Sequence, residues 1–225
     1  MKKLILWAIL PITIGIGIAF FSSCKKNGEG FGLWESCPTR VAIQPFGKIS
    51  QTQVDSVKNA IERMYEFEVV VLDRVKLPKM AYTEIRYPRY RADSLVEWLS
   101  NHLPDTVDMV LGLTDKDISV TKYKDKNKGI IKEPEWQYRD FGIFGLGRVG
   151  GDACVVSSHR LWAKGASTKS FYQRLTRISC HEVGHVLGLH HCPEPNCLMN
   201  DANESITTID NSNGVLCEKC WKKVN

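Results

Sequence analysis

The sequence lacks internal repeats and low-complexity tracts, which excludes solenoids and other repeat architectures. It also lacks a dominant charge, because 30 Lys and Arg residues stand against 25 Asp and Glu residues and the formal net charge is +5. Much of this excess lies in the two tails and in a lysine cluster at residues 122–132, so no nucleic-acid partner is predicted. With 43% hydrophobic and 24% charged residues, the composition is that of an ordinary globular protein.

The chain begins with two lysines and an almost uninterrupted apolar run, which ends in two serines and Cys24. This order resembles a bacterial lipoprotein signal peptide. The resemblance implies a cleaved signal at residues 1–23, a lipid on Cys24, and an exported, membrane-anchored protein on the periplasmic or cell-surface side. An uncleaved transmembrane helix is the alternative, since residues 4–21 are long enough to cross a bilayer.

Glycine and short polar residues predict a linker at residues 24–37, and residues 38–225 are long enough for one well-packed domain. Strands alternate with helices in its first half, which indicates an α/β fold with a mainly parallel twisted sheet. The predicted strands are residues 41–46, 67–72 and 108–113, and the predicted helices begin at Ser50 and span residues 91–102. The lysine cluster, which also contains Asp, Asn and Gly, predicts a solvated loop.

The second half contains a glycine-rich stretch, residues 141–151, followed by a short predicted strand at residues 153–157. On the residues alone, this region is either a ligand-free glycine-rich hairpin or an exposed edge strand to which a peptide can add. Thr168 is predicted to cap a long helix that runs into His181 and His185.

The most informative stretch is residues 181–191, His-Glu-Val-Gly-His-Val-Leu-Gly-Leu-His-His. His181 and His185 are four apart, so they share a helix face and can bind one metal ion. Gly188 allows the chain to turn through a left-handed conformation, which brings His191 round as a third ligand. Three protein ligands leave the fourth zinc position for water, beside the carboxylate of Glu182.

Four cysteines follow at short spacings, namely Cys192, Cys197, Cys217 and Cys220. Four thiolates can close a tetrahedral zinc shell that stabilises the fold and excludes water. Two disulfides are the alternative, because the chain has the features of an exported protein and oxidising compartments favour cystine.

The run from His181 to Cys220, with Met199 between the second and third cysteines, resembles the signature of the archaemetzincins, a branch of the metzincin metallopeptidases. The resemblance implies that His181, His185 and His191 bind a catalytic Zn²⁺ and that Glu182 is the general base. It implies that Met199 forms the apolar turn beneath the metal and supplies no ligand. A second, structural Zn²⁺ is implied at Cys192, Cys197, Cys217 and Cys220. His190 lies off the signature and is predicted to be a surface residue.

The resemblance also implies a metzincin-like fold with an antiparallel edge strand, a backing helix and an active-site helix. In this arrangement residues 38–188 form an N-terminal subdomain, and residues 189–225 form a small C-terminal subdomain held by the structural zinc. Residues 141–151 occupy the position of the edge strand above the cleft.

These observations together predict a zinc metallopeptidase that hydrolyses peptide bonds of a peptide or protein substrate with a zinc-activated water. The alternative is a catalytically silent, membrane-tethered zinc-binding or peptide-binding protein. Glu182 argues against it, since a module that only binds metal needs no base at that position. A zinc deaminase would share ligands between one histidine and a Cys-x-x-Cys pair, which the three-histidine spacing disfavours.

Overall fold

The computed structural model describes residues 39–163, 165–202 and 205–224. The predicted signal peptide (residues 1–23), Cys24 and the linker to residue 37 lie outside this part of the chain. Among the helices of the described ranges, none combines the length and the apolar character needed to cross a membrane.

The strands and helices follow the predicted alternation. The helices are α1 (Gln51–Tyr65), α2 (Ala92–Asn101), α3 (Glu135–Tyr138), α4 (Thr168–Val186), α5 (Ile206–Asn211) and α6 (Glu218–Val224). The strands are β1 (Arg40–Pro45), β2 (Glu68–Val71), β3 (Tyr82–Thr83), β4 (Arg89–Arg91), β5 (Met109–Thr114), β6 (Ile118–Val120), β7 (Tyr123–Asp125), β8 (Ile130–Ile131), β9 (Phe141–Ile143), β10 (Gly145–Gly147) and β11 (Ala153–Ser157). The strands and helices predicted in the first half are therefore confirmed within one or two residues at each end.

The main sheet has the strand order β10-β11-β5-β1-β2. β1 pairs in parallel with both β2 and β5, and β5 pairs in parallel with β11. β10 is antiparallel to β11 and lies at the edge of the sheet. The predicted mainly parallel sheet with an antiparallel edge strand is confirmed.

Helices cover both faces of this sheet, which explains why its central strands are apolar on both sides. α1 and α4 pack together on one face, where they enclose alternate residues such as Ile43, Leu111 and Val156. α2 packs on the other face against the intervening residues, among them Ala42 and Val155. The side-chain alternation of the strands thus divides the core into two layers.

Local sequence signals set the beginnings of the long helices. Ser50 caps α1 through a capping box with Gln53, as its position predicts. α4 is capped by Ser167, whose side chain accepts a hydrogen bond from the Ser170 amide. The prediction that Thr168 is the cap was wrong by one residue, because Thr168 is already the first residue of the helix.

A second sheet, with the order β3-β4-β6-β9, lies beside the main one. Its charged residues form a compact network. The Asp117 carboxylate accepts hydrogen bonds from Arg89 at 2.7 Å and from Arg160 at 2.6 and 2.8 Å. The Arg160 guanidinium lies against Gly142 of β9, where an added Cβ would stand 2.1 Å from it. This network therefore supports the strand that continues into β10.

The lysine cluster is not the simple loop that its composition predicted. β7 and β8 pair as a small antiparallel hairpin, and the Asp125 carboxylate accepts hydrogen bonds from the amides of Asn127 and Lys128 at its tip. The prediction of solvent exposure was right for most of these residues, but main-chain pairing was not visible in a sequence dominated by lysine.

Candidate active site

The long helix α4 places two of the predicted histidines on one face, as their spacing requires. The ring centroids of His181 and His185 lie 4.6 Å apart. Beyond the end of the helix, Gly188 adopts a φ of +91°, which confirms the predicted left-handed turn. This turn returns the chain so that the ring of His191 lies 5.4 Å from that of His181 and 5.0 Å from that of His185. One ligand atom from each of the three rings lies within 4.8 Å of the others.

Backbone carbonyls orient two of the three rings. His181 Nδ1 lies 2.8 Å from the Leu198 carbonyl oxygen, and His185 Nδ1 lies 2.7 Å from that of Leu189. A proton on Nδ1 satisfies each carbonyl, so the Nε2 lone pair is left for a metal. Burial lowers the pKa of His181 to about 4 and also lowers the pKa of His185, so both rings are neutral near pH 7. Neutral imidazoles are the form that binds zinc.

The third ring has a different neighbour. His191 is exposed, and its Nδ1 lies 3.6 Å from a carboxylate oxygen of Asp201. His190, predicted to be a surface residue, is also exposed, but it lines the same cleft as the three-histidine group.

The Glu182 carboxylate is buried between α4 and the edge strand β10. An added Cβ at Gly145 would stand 2.7 Å from Glu182 Cγ and Oε1, and one at Gly147 would stand 2.6 Å from the Glu182 carbonyl oxygen. β10 can pass this close only because these two positions are glycine. Burial raises the pKa of Glu182 to about 8, although the Gly147 amide donates a hydrogen bond that favours the carboxylate.

Met199 is fully buried beneath the helix, as the apolar floor of the site. At Gly184, which lies within the histidine motif, an added Cβ would stand 2.6 Å from Met199 Sδ and 3.2 Å from the Tyr65 hydroxyl. Gly184 therefore permits the close packing of α4 on Met199. The Met199 carbonyl accepts a hydrogen bond from the Cys192 amide, which ties this turn to the segment after His191.

The four predicted cysteines also come together. Cys192 Sγ lies 3.7 Å from Cys217 Sγ, and Cys197 Sγ lies 3.9 Å from Cys220 Sγ. All four thiols are free, and the sulfurs lie within 4.8 Å of one another. A tetrahedron with Zn–S bonds of about 2.3 Å has S···S edges of about 3.8 Å, which these distances match. A disulfide would require about 2.05 Å.

Main-chain amides donate hydrogen bonds to sulfur atoms of this cluster. The amides of Met199 and Cys217 point at Cys197 Sγ from 3.5 and 3.4 Å. Burial disfavours the Cys217 thiolate, but hydrogen bonds from the Cys220 amide and from the neighbouring thiols outweigh it and lower the pKa of Cys217 to about 7. Burial raises the pKa of Cys197 and of Cys220, so it is the convergence of four sulfurs that fits a closed zinc shell.

The three-histidine group opens into a cleft of about 700 Å³. Residues of β9 and β10 line it, and so do residues from the ranges 198–202 and 206–212. Arg177, Asp201 and Ile206 also line the cleft, and sequence reasoning did not single them out. Of these three, only Arg177 could have been predicted from the sequence, because it lies four residues before His181 and so shares its helix face.

The model of the family described as Peptidase family M54 matches residues 39–225, a range that includes every residue that the structure describes. The chain belongs to peptidase family M54. The archaemetzincin of Halobacterium salinarum is 28% identical over 192 residues, which is 82% of this chain and 99% of that protein.

Solved structures of M54 members share the fold. The crystal structure of archaemetzincin from Methanopyrus kandleri is 28% identical, with a TM-score of 0.66 over 85% of this chain and 96% of that one. The structure from Archaeoglobus fulgidus, complexed with malonate, is 26% identical, with a TM-score of 0.64 over 82% of this chain and 99% of that one.

Membership of the archaemetzincin family makes this chain a zinc-dependent metallopeptidase, which confirms the function, the enzyme class and the cofactor predicted from the sequence. The alternative of a catalytically silent binding protein is not favoured. The three-histidine group fits a catalytic zinc, and the four-cysteine group fits a structural zinc.

Proposed function

We propose that His181, His185 and His191 hold the catalytic zinc and that Glu182 is the general base for hydrolysis of a peptide bond. The observation that carries this proposal is the burial of one carboxylate beside three convergent imidazoles, two of which have Nδ1 occupied by a carbonyl oxygen. When bound, zinc would supply Lewis-acid chemistry, acidifying water to a pKa of roughly 7 and polarising the carbonyl that is attacked.

Glu182 accepts the proton of the attacking water and later donates it to the leaving amine. Burial raises its proton affinity, which suits the later donation, and a cation held by the three imidazoles would favour the carboxylate form that accepts the proton. The Gly147 amide fixes the carboxylate by a hydrogen bond, so the base is held in place before substrate arrives. The packing of β10 on α4 thus belongs to the catalytic arrangement.

The substrate lies along the edge strand β10. No strand among the described residues pairs with its outer side, and β10 borders the cleft directly. A peptide that adds to this edge is held by main-chain hydrogen bonds, which place its backbone next to the base without reading side chains.

The four cysteines hold the structural zinc in this proposal and position the histidine site. Cys197, Leu198 and Met199 are consecutive, so the cluster fixes both the carbonyl that orients His181 and the methionine beneath the helix. We also infer that residues 38–188 and 189–225 are the two subdomains, since residues from both line the cleft.

We further propose that the protein is an exported lipoprotein, with residues 1–23 as its signal peptide, a lipid on Cys24 that anchors it to the membrane, and residues 24–37 as linker. The support is the order of charged, apolar and small residues before Cys24. Labelling of the full chain with radioactive palmitate tests this. Palmitate incorporation that disappears in Cys24→Ala supports the lipoprotein. If the Cys24→Ala protein remains in the membrane fraction, the uncleaved helix is favoured instead.

The catalytic proposal is tested by peptide hydrolysis and zinc content measured on the same preparations. Glu182→Ala should lose turnover while keeping zinc close to the wild-type amount, because the carboxylate is not among the ligands. His185→Ala should lose both the catalytic metal and the activity. Full activity in Glu182→Ala would show that another group is the base.

A further inference from the structure

The cleft extends from the histidines along α4 towards the start of the helix. Arg177 and Ile178 lie one turn before His181 and Glu182, so they share the face that carries the site. Four residues of helix rise about 6 Å along the axis. A substrate side chain next to the scissile bond can span this distance. Ile206 and Ile209 also line the cleft, together with the polar residues Thr208 and Ser212.

Main-chain groups hold the Arg177 guanidinium at the far end of this extension. Its Nη1 donates to the carbonyl oxygens of Ile209 and Asp210, both at 3.0 Å. The backbone at Gly214 passes so close that an added Cβ would stand 3.2 Å from Arg177 Nε. Two main-chain carbonyls therefore hold the guanidinium, and no hydrogen bond within the described residues uses Nε or Nη2, which keep N–H groups to offer.

The nearby acid, Asp210, balances the charge of Arg177 only in part. The Asp210 carboxylate is bound in bidentate fashion by Arg174, from Nε at 2.8 Å and from Nη2 at 2.7 Å. Two guanidinium groups therefore share one carboxylate at this end of the cleft. Within the ranges that the structure describes, Arg177 forms no salt bridge.

The other cations of the cleft are placed differently. Arg160 is held in bidentate fashion by Asp117, in the network behind β9. Lys122 lies at the lip of β9, with its ammonium 4.7 Å from the centroid of the Phe141 ring. Arg177 thus combines a guanidinium held by main-chain carbonyls, a place one turn from the histidines and a positive charge that is only partly balanced, because it shares one carboxylate with Arg174. Such a group binds a carboxylate by charge-assisted hydrogen bonds.

We propose that Arg177 is a specificity-determining residue, which binds a carboxylate of the substrate next to the scissile bond. This inference rests on the proposed function of the histidine site. Ile178, Ile206 and Ile209 line the same cleft as Arg177, so we expect a carboxylate on an apolar stem to fit and glutamate to be preferred over aspartate. The same carboxylate can come from a glutamate side chain or from the C-terminus of a short peptide.

The test compares hydrolysis of matched peptides by the full-length, zinc-loaded protein. One set carries Glu, Gln or Asp at each position flanking the cut and has an amidated C-terminus. The other set carries Gln at every flanking position. Its peptides end one residue after the scissile bond, in either a free or an amidated C-terminus. We expect kcat/KM to be about 10- to 100-fold higher for the peptide that presents the carboxylate, the ratio typical of one charge-assisted hydrogen bond. The set that shows the ratio identifies the source of the carboxylate.

Variants at Arg177 attribute the preference to this residue. Arg177→Gln removes the charge and is too short to reach the two carbonyls that Nη1 contacts, so the ratio should fall to about one. Arg177→Lys keeps the charge and should retain part of the kcat/KM ratio between the two peptides. This variant provides the test if Arg177→Gln does not fold. Lys122→Met is the matched control at the other wall and should leave the ratio unchanged.

Binding separates this inference from the proposed function. Calorimetry with the Glu and Gln peptides on the Glu182→Ala protein measures the carboxylate preference even if no peptide is cleaved. Absence of hydrolysis with a preserved binding preference would refute the proposed function alone. Equal binding and cleavage of both peptides, a preference that survives Arg177→Gln, or one that disappears in Lys122→Met would each overturn the role of Arg177.

Discussion

Gly145→Ala is the substitution that most directly perturbs the proposed base, Glu182, without changing a proposed zinc ligand. The added Cβ would stand 2.7 Å from Glu182 Cγ and Oε1, whereas ordinary contacts begin at 3.4 Å. The carboxylate must therefore retreat by about 0.7 Å. A misplacement of about 1 Å in a catalytic group costs on the order of 100-fold in rate, so we expect kcat to fall by roughly 30- to 100-fold.

The fold should tolerate this change better than the chemistry does. The clash involves the side chain of Glu182, which can rotate, so destabilisation should stay near the lower end of the ~1–3 kcal/mol typical of overpacking. Gly147→Ala provides the contrast, because its Cβ would meet the Glu182 carbonyl oxygen at 2.6 Å and force the strand itself to move. It should lower both the activity and the thermal midpoint.

The assay is steady-state peptide hydrolysis, with zinc content and thermal unfolding measured on each variant. Gly129→Ala, on the lysine hairpin, is the control: the added Cβ meets nothing within 4 Å, and although the φ of +67° costs some stability there, full activity should remain. If Gly145→Ala hydrolysed peptides at the wild-type rate with unchanged zinc content, the position assigned to Glu182 against β10 would be wrong.

Three further predictions concern stability. Cys217→Ser should release one of two zincs and destabilise the protein by several kcal/mol, seen by metal analysis and calorimetry; unchanged zinc content would refute the thiolate cluster. Burial raises the pKa of Asp117, but the guanidinium groups of Arg160 and Arg89 outweigh it and lower the pKa below its usual value. Its stabilisation is therefore present above about pH 4 and is lost as pH falls through the folded pKa, and Asp117→Asn should remove this acid-dependent part of the unfolding free energy. Gly184→Ala should cost about 1–3 kcal/mol against Met199 in denaturant titrations, and an unchanged midpoint would contradict the close packing.

Local rules were enough to predict much of the fold and of the site. Ser50 was predicted as a cap from the residue and the helical period after it, and both are local. His181 and His185 share a face because of helix geometry alone, and Gly188 turns left-handed because it lacks a Cβ. The family signature then predicted which distant cysteines meet, something that spacing by itself does not determine.

The remaining features depend on contacts between segments far apart in the chain. The glycines of β10 are required by Glu182, which lies 37 residues after Gly145 in the sequence. Arg177 becomes a feature of the cleft only because α5 packs beside α4 and Arg174 takes the Asp210 carboxylate. The lysine hairpin escaped prediction because its pairing depends on a turn stabilised by Asp125, while its side chains point to solvent.

Zinc content of the purified full-length protein, measured together with peptide hydrolysis, tests the central claim most directly. The account predicts two zincs per chain and an active wild type. It predicts one zinc and no hydrolysis for His185→Ala, and one zinc for Cys220→Ser. A His185→Ala protein that kept two zincs, or that still hydrolysed peptides, would contradict the assignment of the three imidazoles to a catalytic metal.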